Sequence, residues 1–170
     1  MAVPTDTVWK WLADIPDPEI PVLSLTDLGV IRDVHWQDET LVVTVTPTYS
    51  GCPATAVINL DIETKLRQCG IDKLRLEQQL SPPWTTDWLS ETGREKLRKY
   101  GIAPPVGQSG SAPASGGRIA RLTGGDSLVV ACPRCGSENT EKISQFGSTP
   151  CKAAYRCRSC LEPFDYFKCH

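Results

Sequence analysis

Hydrophobic positions follow two rhythms along this chain, separated by stretches with none. From Leu41 to Thr46, Leu41, Val43 and Val45 alternate with Val42, Thr44 and Thr46, the period of two of a strand with one face on a core. Val30 to Trp36 precedes it across Gln37 to Thr40, which predicts a hairpin. Leu74, Leu76, Gln78 and Leu80 alternate with Lys73, Arg75, Glu77 and Gln79 and predict a third strand. The helical rhythm is longest where Ala54, Ile58, Ile62, Leu66 and Cys69 share one face before Gly70. Asp6 to Ala13 reads as a short helix capped by Thr5 or Asp6, and Cys69, on the long helix's stripe, reads as core. A further helix follows Ser90, with Leu89, Gly93, Leu97 and Tyr100 on one face and Gly101 at its end. Trp84 and Trp88 before it read as anchors onto a core. This order predicts an α+β domain, an α/β layer with helices on one face of a three-stranded sheet.

Two stretches lack rhythm. Ile15 to Ile31 holds three prolines within six residues, so it cannot be regular helix. Asp17 and Glu19 flank Pro18 there, and Asp27 precedes the Leu28-Gly29 turn; acids in so restricted a loop are either solvated turn residues or part of a site. Ala103 to Asp126 is dominated by Pro, Gly, Ser and Ala and reads as a flexible linker. The expected organisation is a first domain over residues 1–102, the linker over 103–126, and a second domain over 127–170.

Composition narrows the classes. The chain has 170 residues, 40% hydrophobic and 22% charged, with a net charge of −2. That balance carries no marked basic field, which argues against a nucleic-acid partner despite Arg134, Lys142, Arg156 and Arg158. The N-terminus has no basic segment leading into an apolar run, and no stretch reaches the length of a membrane span. A cytoplasmic protein without a membrane partner is expected, and its eight cysteines then read as thiols or metal ligands.

Six of those cysteines crowd into the last thirty-nine residues. Cys132-Pro-Arg-Cys135 and Cys157-Arg-Ser-Cys160 stand twenty-one residues apart, a spacing that lets two knuckles wrap one tetrahedral ion with four thiolates. Zinc is the favoured ion, and iron satisfies the same sulfur cage. Strands over Thr140–Phe146, Ala153–Arg156 and Pro163–Lys168 would complete a zinc ribbon whose small core leans on its metal.

Cys52 lies in TPTYSGCPAT, where Pro53 is expected at the first position of the long helix. A sulfur there meets free N–H groups and the positive helix end, which favours thiolate over thiol; a buried cap cysteine acting as a small hydrophobe is the other reading. Cys151, in FGSTPCK at the expected hairpin tip, and Cys169, beside His170, remain over. With Cys52 they could form a second, open thiolate site for an iron–sulfur cluster, copper(I) or zinc, or they are plain exposed thiols.

Taken together, DPEIPVLSLTDLGVIRDV, TPTYSGCPA and PPWTTDWLS, followed by CPRC, FGSTPCK, CRSC and EPFDYFKC, resemble the D components of bacterial phenylacetate-degradation systems. The first domain is similar to the broader metal–sulfur cluster assembly family, which includes iron–sulfur maturation and targeting factors. The resemblance implies an accessory role in maturing phenylacetyl-CoA epoxidase, a di-iron oxygenase fed by a reductase with a 2Fe–2S cluster. It also implies a functional surface made of Asp17, Pro18, Glu19, Asp27 and Cys52.

Three functions follow. A maturation factor would hold iron or an iron–sulfur cluster transiently at Cys52, with Cys151 or Cys169, and pass it to the reductase or oxygenase; Asp17, Glu19 and Asp27 would tune or ligate the site. Its partners would be the epoxidase components, the reductase above all, with iron–sulfur assembly machinery and a homodimer also compatible. A zinc-ribbon adaptor would bridge the components without carrying metal, using Trp84, Trp88, Phe164, Tyr166 and Phe167 as anchors. A thiol enzyme built on Cys52 lacks an evident general base, because His35 lies on a strand and His170 is terminal.

Overall fold

A computed structural model describes residues 3–106 and 129–168 of the chain. The strand rhythm becomes β1 (Ile31–Gln37), β2 (Thr40–Val45) and β3 (Leu74–Gln78), a sheet of order β1-β2-β3. β1 and β2 pair antiparallel with Val34 opposite Val43, as a hairpin demands. β2 and β3 pair parallel, Val43 against Leu76, and a parallel neighbour requires the crossover that α2 (Thr55–Gln68) supplies. Ile58, Ile62 and Leu66 of α2 join Leu41, Val43 and Val45 of β2 in the core, together with Val8 and Leu12 of α1 (Thr5–Ala13).

Helix ends correct two expectations. α1 is preceded by Pro4 and has no side-chain cap, so neither Thr5 nor Asp6 serves as one. α2 begins at Thr55 rather than at Pro53, because the Cys52 carbonyl first accepts the Thr55 N–H at 3.1 Å in a tight turn, and the helical ladder opens with Ile58 on Ala54. At its other end Ile71 N–H reaches the Leu66 carbonyl and Gly70 N–H that of Arg67, both at 3.0 Å, a complete Schellman closure with Leu66 and Ile71 buried. Cys69 occupies the cap position there, half-buried.

The proline-rich loop is not a surface excursion. Ile20, Leu23, Leu25 and Leu28 are each at most 2% exposed, so a segment without period contributes much of the core. Its exit needs Gly29: φ is +68°, and a Cβ there would stand 2.3 Å from the Trp88 carbonyl oxygen. α3 (Glu91–Tyr100) starts as expected, with Ser90 Oγ accepting the Gly93 N–H at 2.9 Å. Gly93 and Leu97 are buried, whereas Tyr100 points outward at 62% exposure and does not share their face with the core.

After α3 the chain enters the second lobe at once. β4 (Ile102–Ala103) pairs parallel with β7 (Pro163–Phe167), which neighbours β6 (Lys152–Cys157) and then β5 (Thr140–Ser144). Ala103 is 1% exposed in the ribbon's own core, beside Tyr155, Phe164 and Tyr166. Phe167 and Cys151, in contrast, belong to the first lobe's core. Trp84 links the two: its Nε1 donates to the Leu28 carbonyl at 2.8 Å, and its ring meets Phe167 edge-on at 5.9 Å. The ribbon is thus seated on the α/β layer. No helix among the described residues is long and apolar enough to cross a membrane.

Candidate metal centre and thiol site

The ribbon's two knuckles converge. Cys132 and Cys135 follow Val130, Cys157 closes β6, and Cys160 follows three residues later. Their four sulfurs lie within 4.8 Å of one another, with Cys132 to Cys160 at 3.8 Å and Cys135 to Cys157 at 3.6 Å. Four thiolates on a tetrahedral ion at about 2.3 Å have sulfur edges of roughly 3.8 Å, so the cage fits a metal ion of that kind. The residue after each knuckle turns left-handed, Gly136 at φ +73° and Leu161 at φ +65°. Glycine does so freely, while Leu161 stores about 1–2 kcal/mol of strain that the knuckle overrides. The Cys160 N–H, 3.5 Å from the Cys157 sulfur, holds that thiol down to about 6 against its burial, so it is a ready ligand.

The remaining sequence-predicted residues fall into two places. Asp17 is 6% exposed and accepts the N–H groups of Glu19 at 2.9 Å and Ile20 at 2.7 Å, an Asx turn that sets Glu19. Burial pushes its carboxyl up, further than those two N–H groups pull it down. Glu19 reaches across to the ribbon, where its Oε2 accepts from the Cys151 sulfur at 3.4 Å. Thr149 Oγ1 lies 3.0 Å from the same sulfur. Burial, with the Glu19 charge, pushes the Cys151 thiol up to about 12, although its Thr149 contact opposes the shift. Cys52, at the turn before α2, is buried, and its backbone N–H donates to the Tyr49 carbonyl at 3.2 Å. Burial, then the neighbouring Cys52 and the charges of Glu19 and Cys151, push the Tyr49 hydroxyl well above its usual value. Tyr49 thus lies within electrostatic reach of Cys52, Glu19 and Cys151. Sequence reasoning missed it, because its one signal was a position three residues before Cys52.

Asp27 has another task. Its carboxylate accepts from Ser24 N–H at 3.1 Å, Ser90 Oγ at 3.1 Å and Lys96 Nζ at 2.6 Å, tying the proline-rich loop to α3. Burial opposes the charged form, and the Lys96 and Ser24 bonds outweigh it, so the carboxyl titrates below its ordinary value. A depressed carboxylate contributes stability above its unfolded pKa and loses it as pH falls through the folded one. Asp27→Ala should cost about 2–3 kcal/mol in urea unfolding at neutral pH, and the difference from the parent should shrink below about pH 4. An unchanged midpoint would mean that the loop is held without it. Cys169 and His170 lie outside the described residues.

Comparison with known proteins decides the family. A protein of Escherichia coli (strain K12), provisionally named as the D component of 1,2-phenylacetyl-CoA epoxidase, is 49% identical over 162 residues, covering 95% of this chain and 91% of that one. Residues 118–168 match the PaaD zinc beta ribbon domain. The chain belongs to the PaaD family. Residues 5–72 match the iron-sulfur cluster assembly protein family. An Fe-S protein maturation auxiliary factor of Porphyromonas gingivalis is 33% identical over 94 residues, 54% of this chain and 89% of that one. A DUF59 domain of Bacillus anthracis, 24% identical, matches in structure with a TM-score of 0.51 over 54% of this chain and 89% of its own, and shares the fold.

For this PaaD-family chain the anchors proposed for an adaptor are already in use. Trp84, Phe164, Tyr166 and Phe167 are each at most 7% exposed, and Trp88 stacks under the Arg32 guanidinium at 3.6 Å. Trp84 and Phe167 join the lobes, Phe164 and Tyr166 pack in the ribbon's own core, and Trp88 holds Arg32.

Proposed function

We propose that this PaaD-family protein is an accessory maturation factor of the phenylacetyl-CoA epoxidase system. It takes up iron or an iron–sulfur cluster at the group formed by Cys52, Glu19 and Cys151 and delivers it to an epoxidase component, the 2Fe–2S reductase first among them. The observation that carries this reading is the ribbon's Cys151 thiol reaching Glu19 of the first lobe at 3.4 Å, with Cys52 buried in the same core, apart from the four-cysteine cage. Among the described residues only that cage brings three or more ligand atoms within 4.8 Å. A group that is gathered but not convergent suits cargo that must arrive and leave, whereas a closed tetrahedral cage suits a resident ion. Asp17 positions Glu19 for the task, and Asp27 supports the loop from behind.

The cage is proposed to hold zinc through Cys132, Cys135, Cys157 and Cys160. A zinc ion with four protein ligands has no open position, so it supplies structure and no reaction chemistry. The name of the Porphyromonas gingivalis relative supports a role in maturation over catalysis for the first lobe.

The test is metal and acid-labile sulfide analysis on protein purified without oxygen, with transfer to the cluster-free reductase followed by absorption. Stoichiometric zinc is expected in the parent and in Cys52→Ser. Iron, sulfide and cluster delivery are expected in the parent only, with at least a tenfold loss in the variant. Equal delivery by both proteins, or none by either, would sink the reading.

A further inference from the structure

The hairpin that joins β5 to β6 brings Thr149 and Cys151 to Glu19, and it also has an exposed side. β5 is the outer strand of its sheet, and its register against β6 skips between Lys142 and Ser144, so Ile143 is the extra residue of a β-bulge. A bulge re-aims side chains and blunts an edge strand against the addition of another strand. Ile143 is 60% exposed, and Phe146, three residues on, is 58% exposed. Exposed apolar side chains are ordinary by themselves; what singles out this pair is the cations beside it. Elsewhere the ribbon matches cations to its own carboxylates: Arg134 to Glu162 at 3.2 Å, Lys152 to Asp165 at 3.8 Å and Arg158 to Glu141 at 2.6 Å. Arg156 stands opposite Glu141 in register. Lys142, next to Ile143, reaches only the neutral Gln145 Oε1, at 3.1 Å, among the described residues. Lys168 Nζ is shielded from solvent and has no hydrogen-bond acceptor among the described residues. The Phe146 ring lies 4.3 Å from that ammonium, and the ring is itself at the surface. A desolvated ammonium without an acceptor is costly, and a ring face offsets only part of that cost.

We propose that this face of the ribbon, Ile143 and Phe146 with Lys142 and Lys168, docks an acidic surface of a partner protein. The partner lays apolar area on Ile143 and Phe146 and supplies the carboxylates that both ammonium groups lack, the charge complementarity that fixes register at an interface. Because the bulge blunts β5, the partner is recognised through side chains and not by adding a strand to the sheet. Cys151 lies on the same hairpin, so the docked protein stands close to the thiol that meets Glu19. That the partner is the recipient of iron or a cluster rests on the maturation reading above, but the acidic-partner surface does not.

The experiment titrates the full-length, zinc-loaded protein by calorimetry with the cluster-free reductase and with the oxygenase of the epoxidase system, each purified, at low and at moderate salt. One of them should bind, more weakly as salt rises. Lys142→Glu and Phe146→Ala should each weaken that binding about tenfold or more, whereas Lys10→Glu, the same charge reversal at an exposed position of α1, should stay within about twofold. Lys168→Met removes an ammonium that lacks an acceptor, so it should weaken binding while the urea midpoint holds or rises, a combination that a packing role does not produce. Zero-length carbodiimide coupling with peptide mapping should join Lys142 or Lys168 to an aspartate or glutamate of the partner. Binding by neither component, equal binding by the parent, Lys142→Glu and Phe146→Ala, or coupling through other lysines alone overturns the proposal. So does a Lys168→Met protein that loses stability and keeps the parent's affinity, because Lys168 then only packs the hairpin. Cys52→Ser should bind like the parent even where it delivers no cluster, so failure of the maturation reading and failure of the surface are told apart.

Discussion

Cys157→Ser should unfold the ribbon and loosen its seat on the first lobe. Cys157 is fully buried at the end of β6, its N–H donates to the Glu162 carbonyl at 2.9 Å, and its sulfur faces Cys135 at 3.6 Å. Removing one thiolate from a four-sulfur cage takes away most of a metal-binding free energy that amounts to about 10–16 kcal/mol in comparable small domains. The ribbon has little else. Its own cluster consists of Ala103, Val130, Ala153, Tyr155, Phe164 and Tyr166 with two of the cysteines. The consequence travels along β6, which starts at Lys152, next to Cys151, and ends at Cys157. Hydrogen exchange in the full chain should show lost protection over residues 130–168 together with lost zinc, while α2 and β2 stay protected. Protection of β6 and β7 at the parent's level would show that the fold does without the cage.

Phe167→Ala should be the most damaging apolar truncation at the junction, at about 3–5 kcal/mol. The ring is 1% exposed, meets Trp84 edge-on at an interplanar angle of 86°, and belongs to the core of the lobe that its own strand does not come from. Truncation therefore leaves a cavity between lobes, where neither can close over it without moving the β4–β7 pair. Urea unfolding followed by tryptophan emission measures the loss, and Tyr100→Ala, at a side chain 62% exposed, should stay within about 0.5 kcal/mol of the parent. A Phe167→Ala shift no larger than the Tyr100→Ala shift would mean that the ribbon only rests against the first lobe.

The failures of sequence reading share one cause. Period-two and period-3.6 patterns expose one face of an element to one core; α2 does so through Ile58, Ile62 and Leu66, and β2 through Leu41, Val43 and Val45, although Val42 on its other face is buried too. Tyr100 continued the α3 stripe in sequence, but the helix runs past its packing surface before reaching it. β4 has two residues, too few for any rhythm, and lies where the linker composition begins. The proline-rich loop fills the core through Ile20, Leu23, Leu25 and Leu28, whose spacing follows the loop's turns instead of a repeat.

Local chemistry was legible because its causes are local. Two Cys-x-x-Cys knuckles carry a tetrahedral cage in their spacing, Ser90 announces a helix start, and Cys52 between Gly51 and Pro53 marks a turn into α2. What those elements meet was decided only by the tertiary structure. Glu19 and Cys151 are 132 positions apart and touch because β4, Trp84 and Phe167 seat the ribbon on the proline-rich loop. The same seating turns Trp84 and Phe167 inward, each at most 3% exposed. A chain states its local preferences residue by residue, but desolvation and charge pairing depend on every group within a few ångströms, and packing alone determines which groups those are.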